Sequence, residues 1–81
     1  MLTLYVKTGC PFCAMVIHKL EDLELAYEEK NIAEQEIADE LVERGGKRQV
    51  PYLVDTDAEL EMYESGDIVK HLDVRYASTN T

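Results

Sequence analysis

Leu2-Thr3-Leu4-Tyr5-Val6-Lys7-Thr8-Gly9-Cys10-Pro11-Phe12-Cys13 holds an apolar strand, a turn and the opening of a helix within twelve residues. Leu2 to Val6 alternates apolar and β-favouring side chains and reads as a buried first strand. Lys7-Thr8-Gly9 makes the turn, and from Pro11 a helix is predicted to about Leu23. Proline suits the first helical turn, where its missing N–H costs no bond. Cys10 then stands at a helix N-terminus, whose unpaired amides favour thiolate over thiol. Cys10 and Cys13 are the only cysteines. Spaced as they are at a strand-to-helix turn, they are placed to cycle between dithiol and disulfide.

The rival uses of such a pair are weaker. A structural zinc site needs four ligands, and the chain has neither a second CxxC nor an HxxxH pair. His18 and His71 lie on separate predicted helices, so no metal site is expected; His18 reads as a solvated helix residue. A structural disulfide here would close too small a loop to stabilise much. Redox chemistry is the reading.

Outward from that segment, Ala26 to Ile32 is a weak strand by composition, and Ala33 to Arg44 a helix with Ile37, Ala38 and Leu41 inward. Gly45-Gly46 ends that helix. Val50 to Asp55 is a third strand, Thr56-Asp57-Ala58 a turn, and Leu60 to Tyr63 a fourth strand antiparallel to the third. A last helix starts near Gly66-Asp67, with Ile68, Val69 and Leu72 inward, and frays by Ala77. In the first helix Met15, Val16, Leu20 and Leu23 are expected on the buried face. The order β-α-β-α-β-β-α predicts an α/β fold, a four-stranded mixed sheet with three helices on its faces. The cysteines sit at the carboxyl end of the first strand, where ligands bind in open α/β sheets.

With 81 residues the chain makes one domain, expected over residues 1–77 with a disordered tail at 78–81. Its net charge of −9, from 17 acidic against 8 basic residues, argues against nucleic acid or an anionic membrane as partner. No apolar run reaches membrane-spanning length and no signal peptide precedes Met1, so a cytoplasmic protein is expected. In a reducing cytosol a cysteine pair is more often catalytic than structural. A domain of this size with polar helix faces needs no partner to fold, and a monomer is expected.

Across residues 1–76 the chain resembles a glutaredoxin, within the thioredoxin-like superfamily. Three motifs carry the resemblance in family order and spacing: Lys7 to Cys13, Val50-Pro51 and Glu64-Ser65-Gly66-Asp67. It implies a thioredoxin-like fold with Cys10 as the nucleophile that attacks a disulfide or glutathionylated sulfur. Cys13 becomes the buried resolving thiol. The resemblance assigns Lys7 to lowering the Cys10 pKa and pairing with a glutathione carboxylate. Pro11 and Phe12 complete the turn, Phe12 as an apolar platform where the family often has tyrosine.

Val50-Pro51 is similar to the family's cis-proline turn, in which the backbone of the preceding residue pairs with the cysteinyl part of glutathione. Lys47, Arg48 and Gln49 lie just upstream; either Lys47 or Arg48 is expected to meet the glycine carboxylate. Ser65 and the amides at the start of the last helix, with Gly66, suit the γ-glutamyl carboxylate, and Glu64 or Asp67 its ammonium. Two departures stand out. Tyr63-Glu64 replaces the glycine pair that many glutaredoxins carry, and Gln49 replaces a threonine. Glu64-Ser65 also resembles the glutathione-binding signature in the N-terminal domain of glutathione transferases.

The resemblance implies a glutathione-dependent thiol–disulfide oxidoreductase acting on protein disulfides or glutathionylated proteins. Glutathione is then co-substrate, and no tightly bound cofactor is expected. An alternative is a redoxin of the same fold reduced by thioredoxin reductase and donating electrons to a reductase. Another is an iron–sulfur-binding glutaredoxin, disfavoured because Pro11 follows Cys10 and a second cysteine is present.

Overall fold

In the computed structural model, which describes residues 1–76, the chain runs β1 (Leu2–Val6), α1 (Pro11–Asp22), β2 (Glu28–Asn31), α2 (Gln35–Gly45), β3 (Tyr52–Asp55), β4 (Leu60–Met62) and α3 (Ser65–Tyr76). This is the expected element order. The expected end of the last helix at Ala77 and the expected tail at 78–81 lie outside the described residues. The strands form one sheet in the order β2-β1-β3-β4. β1 pairs parallel with β2 and antiparallel with β3, and β3 pairs antiparallel with β4. Among the described residues no helix is long and apolar enough to cross a membrane.

β1 is central and covered on both faces, so its alternate side chains feed two cores. Leu2, Leu4 and Val6 pack with Cys13, Val16 and Leu20 of α1 and with Ile68 and Leu72 of α3. Tyr5 points the other way and joins Tyr52, Val54, Ile32 and, from α2, Ala38 and Leu41. The tyrosine hydroxyls on this second face end on carboxylates: Tyr5 donates to Glu40 and Tyr52 to Glu61. Lys30 pairs with the same Glu40 at 2.7 Å, tying the edge strand to α2.

Several boundaries and one facing differ from the sequence reading. Met15, expected inward, is 47% exposed. The buried face of α1 is Cys13, Val16 and Leu20, with Ile17 and Leu23 packed beside it. Met15 is two residues past Cys13, about 200° around the wheel at helical period, and so falls on the opposite side. The fold puts a cysteine where apolar periodicity favoured a methionine. β3 begins at Tyr52 rather than Val50, because Pro51 has no N–H to give a ladder. α2 starts at Gln35 rather than Ala33. The Asn31 side chain accepts from the Ala33 N–H at 2.8 Å, and its carbonyl accepts from Glu34 N–H at 3.2 Å. That turn occupies residues 31–34 before the helix opens. β2 contracts to Glu28–Asn31 from the wider expected span.

Gly46 caps α2, its φ of +90° letting its N–H close on Val42 O at 2.7 Å. Gly45 serves a different purpose. A Cβ there would collide with the Tyr63 hydroxyl, lie 2.7 Å from Tyr63 Cζ and 3.1 Å from Tyr52 Cε1. Alanine normally stabilises a helix relative to glycine by about 1 kcal/mol. Here Gly45→Ala is expected instead to cost about 1–3 kcal/mol through overpacking. Urea unfolding of Gly45→Ala, Tyr63→Ala and the double variant should show most of the Gly45→Ala penalty disappearing once Tyr63 is gone, with Tyr52 still in close contact. An undiminished penalty in the double variant would refute this account.

Candidate active site

The turn after β1 places the first cysteine. Gly9 adopts φ +81°, which side-chain-bearing residues rarely accept, and turns the chain into α1. Cys10 is the N-cap of α1, extended at φ −85°, ψ 115°, with its Sγ accepting from the Cys13 N–H at 3.3 Å. Pro11 opens the helix. Cys13 is buried within the α1 core while Cys10 stays half-open to solvent.

The two thiols are driven apart in acidity. Burial raises the Cys10 pKa, but hydrogen bonds from the Cys13 thiol and from the Cys13 and Phe12 amides, with the Lys7 ammonium, outweigh it. Cys10 is held below its ordinary value. Burial, the hydrogen bond to Cys10 and the nearby charges of Cys10 and Glu29 push Cys13 up to about 12. The site favours thiolate at one sulfur and keeps the proton on the other. That is the division of labour a nucleophile and a resolving thiol require.

Two clefts flank this pair. One, about 300 Å³, is lined by Phe12, Gln49, Val50, Pro51, Tyr63, Glu64 and Ser65. It brings together all three motifs of the sequence reading, and the Val50–Pro51 bond is cis, as the resemblance implied. The other, about 410 Å³, is lined by Lys7, Cys10, Pro11 and Cys13 together with Glu29 and Asn31 of β2.

The remaining expected residues fall at the start of α3 and in the segment after α2. Ser65 is the first residue of α3, and the Glu64 carbonyl accepts the helix's early bond from Ile68 N–H at 2.8 Å. Gly66 and Asp67 follow in the exposed first turn and do not line the cleft. Lys47 and Arg48 are exposed and also lie outside both linings. The structure separates these two. Tyr63 Oη accepts from the Lys47 N–H and donates to the Lys47 carbonyl, each at 2.9 Å. The Lys47 ammonium lies 5.6 Å from the centre of the same ring. Arg48 makes no hydrogen bond or ion pair among the described residues.

Tyr63 was not among the expected site residues. Its ring packs against Tyr52, tilted by 46° with centroids 4.4 Å apart, and it lines the same cleft as Phe12. The signal was the departure from the glycine pair, but a substitution does not reveal a contact sixteen residues away. Glu29 and Asn31 were also missed, since nothing in a weak strand tells which side chains face the cysteines.

The family model described as Glutaredoxin matches residues 2–59. The chain belongs to the glutaredoxin family. No curated protein matches the sequence. Among solved structures, this glutaredoxin is similar to a glutathione S-transferase from the Antarctic clam Laternula elliptica, with 28% identity and a TM-score of 0.80. That match covers 94% of this chain and 35% of the transferase. Glutathione transferase E6 from Drosophila melanogaster is 29% identical at a TM-score of 0.75, over 94% of this chain and 35% of that one. Ure2p, solved in complex with glutathione, is 26% identical at a TM-score of 0.79, over 98% and 34% of the two chains. The chain spans about a third of the length of these relatives. The fold is thioredoxin-like, a four-stranded mixed sheet with three helices in the expected order.

Proposed function

We propose that this glutaredoxin is a glutathione-dependent thiol–disulfide oxidoreductase. The observation that carries the reading is the cysteine pair: a half-open Cys10 with lowered pKa at the start of α1, and a buried, protonated Cys13 behind it. Cys10 thiolate attacks the sulfur of a glutathione mixed disulfide, forming a Cys10–glutathione disulfide and releasing the other thiolate. A second glutathione thiolate then attacks that bond, releasing oxidised glutathione and restoring the Cys10 thiolate. With a protein disulfide, Cys13 resolves the intermediate and glutathione later reduces the enzyme.

The cleft walled by Phe12, Tyr63 and Val50-Pro51 is the groove assigned to glutathione. Val50 offers its backbone to the cysteinyl part, as the resemblance implies. Ser65 and the first amides of α3 suit the γ-glutamyl carboxylate, with Glu64 or Asp67 for its ammonium. Lys47 is favoured over Arg48 for the glycine carboxylate, because Tyr63 holds its main chain at the wall of that cleft. The likeness to a structure of Ure2p in complex with glutathione supports the ligand.

The test is turnover of a glutathione mixed disulfide coupled to glutathione reductase, beside two controls. One replaces glutathione and its reductase by thioredoxin reductase; the other measures conjugation of glutathione to chlorodinitrobenzene. Activity in the first assay alone is the expected result. Activity only with thioredoxin reductase, or only in conjugation, would replace this reading by a redoxin or a transferase respectively.

A further inference from the structure

The second cleft raises a question that the glutathione groove leaves open: Cys13 is buried, and its proton must leave before it can attack. β1 and β2 run parallel with Leu4 opposite Glu29, Tyr5 opposite Lys30 and Val6 opposite Asn31. Partners in register share a face of the sheet, and neighbours along a strand alternate. Leu4 and Val6 pack in the same core cluster as Cys13, so Glu29 and Asn31 stand on the cysteine face. Lys30 confirms the alternation from the other side, where it pairs with Glu40. Glu29 then lines one cleft with Cys10 and Cys13.

The other polar groups in that lining are occupied or of the wrong charge. Asn31 donates to Thr8 Oγ1 at 2.9 Å and accepts from Ala33. Lys7 is a cation. Glu29 is the one carboxylate in the lining and makes no hydrogen bond or ion pair among the described residues. We propose that Glu29 is the proton acceptor for Cys13, through solvent in the cleft they share, when Cys13 resolves a mixed disulfide on Cys10.

The step balances. Cys13 thiol and Glu29 carboxylate, with the disulfide between Cys10 and a substrate sulfur, give the Cys10–Cys13 disulfide, a substrate thiolate and a protonated Glu29. The proton then passes to the departing thiolate or to water. The groups that face this transfer are Lys7 beside β1, Cys10 and Cys13 of α1, and Glu29 of β2. Tyr27, whose phenol is raised by burial and by the charges of Glu29 and Glu21, precedes β2. The charge of Glu29 alone opposes the reaction, since it raises the Cys13 pKa. Charge and proton transfer therefore predict opposite signs for its removal.

This inference rests on the exchange chemistry proposed above, but its test avoids glutathione. Reduced protein is mixed with dithiobis(nitrobenzoate) in a stopped-flow cell. Cys10 releases one coloured thiolate as it forms the aryl mixed disulfide, and Cys13 releases a second as it resolves it. Glu29→Gln is expected to slow the second phase about a hundredfold at neutral pH, the low end for a positioned base, without slowing the first. Its second phase should then rise tenfold per pH unit and be partly rescued by added acetate. Glu28→Gln removes the same charge from the opposite face of β2, paired with Thr3, and should leave both phases at the wild-type rate. A second phase that is unchanged or faster in Glu29→Gln overturns the proposal while leaving the exchange chemistry intact. Absence of a second release from the wild type would overturn the proposal together with the resolving role of Cys13, and absence of the first would overturn the exchange chemistry itself.

Discussion

Cys10→Ser is expected to lose turnover of a glutathione mixed disulfide by about a thousandfold or more, while Cys13→Ser keeps a rate of the wild-type order. The asymmetry follows from what each sulfur does. Only a thiolate at position 10 reaches the substrate, and its acidity comes from the Cys13 thiol, the Cys13 and Phe12 amides at the helix start and the Lys7 ammonium. In the proposed cycle glutathione itself completes the turnover, so a resolving thiol is dispensable for this substrate. Serine at 13 also preserves the backbone N–H that points at Cys10 Sγ at 3.3 Å and keeps a side-chain donor there. Cys13→Ala removes that donor and should raise the Cys10 pKa, seen as a rightward shift in the pH profile of iodoacetamide alkylation. With a protein disulfide as substrate the order changes. Cys13→Ser should stall as a stable Cys10-linked adduct, visible by intact-mass analysis. Equal loss of mixed-disulfide turnover in both serine variants would refute the division of roles.

The geometry of the proposed cysteine pair was legible because it is local. A period-two apolar run, a glycine turn and a proline at the helix start define strand, bend and N-cap within a dozen positions, and the cysteines are fixed by that geometry. The second half of the site was legible only through resemblance, since Val50-Pro51 and Glu64-Ser65 have no local pattern that points to a cleft. Met15 shows the limit of periodicity. Cys13, Val16 and Leu20 share a face, but Met15 competes for it on hydrophobicity alone. Tyr63 shows the limit of motif comparison. Its partners, Lys47, Gly45 and Tyr52, lie at least ten residues away and meet it only after the sheet has closed. For Glu29 the information is in the register of β2 against β1, which a strand of sequence Glu-Glu-Lys-Asn does not declare. In the sequence Asp55 ends a strand next to a turn, where aspartate is ordinary. Nothing nearby announces that it is fully buried.

Asp55→Ala should be the most destabilising substitution away from the cysteines, at about 3 kcal/mol or more. The carboxylate is 0% exposed and is the buried charge among the described residues. Oδ2 is 2.9 Å from His71 Nε2 and accepts from the Tyr76 hydroxyl at 2.7 Å. Oδ1 accepts from the Asp57 and Ala58 N–H groups at 3.1 and 3.2 Å. An ionised carboxylate only accepts, so His71 Nε2 carries the proton in their bond. These contacts clamp the β3–β4 turn to α3, and alanine leaves the donors facing a void. Asp55→Asn, which keeps an acceptor of the same shape, should cost less.

The pH dependence has a defined sign. Burial raises the Asp55 pKa, but the bonds from His71, Tyr76 and the Ala58 amide outweigh it, so the folded value lies below the ordinary one. The unfolded chain therefore takes up this proton first as pH falls. The contribution of ionised Asp55 is fully present above an unfolded pKa of about 4, shrinks below it, and is gone once pH passes the folded value. Urea unfolding of wild type and Asp55→Asn should show a constant gap near neutrality that narrows only below about pH 4. Leu2 pairs with Asp55 at the start of β1, whereas Cys10 follows its far end. Alkylation of Cys10 in folded Asp55→Asn should accordingly keep its wild-type pH profile. A gap that is absent at neutral pH, or that widens on acidification, would show that the carboxylate does not hold α3 to the sheet.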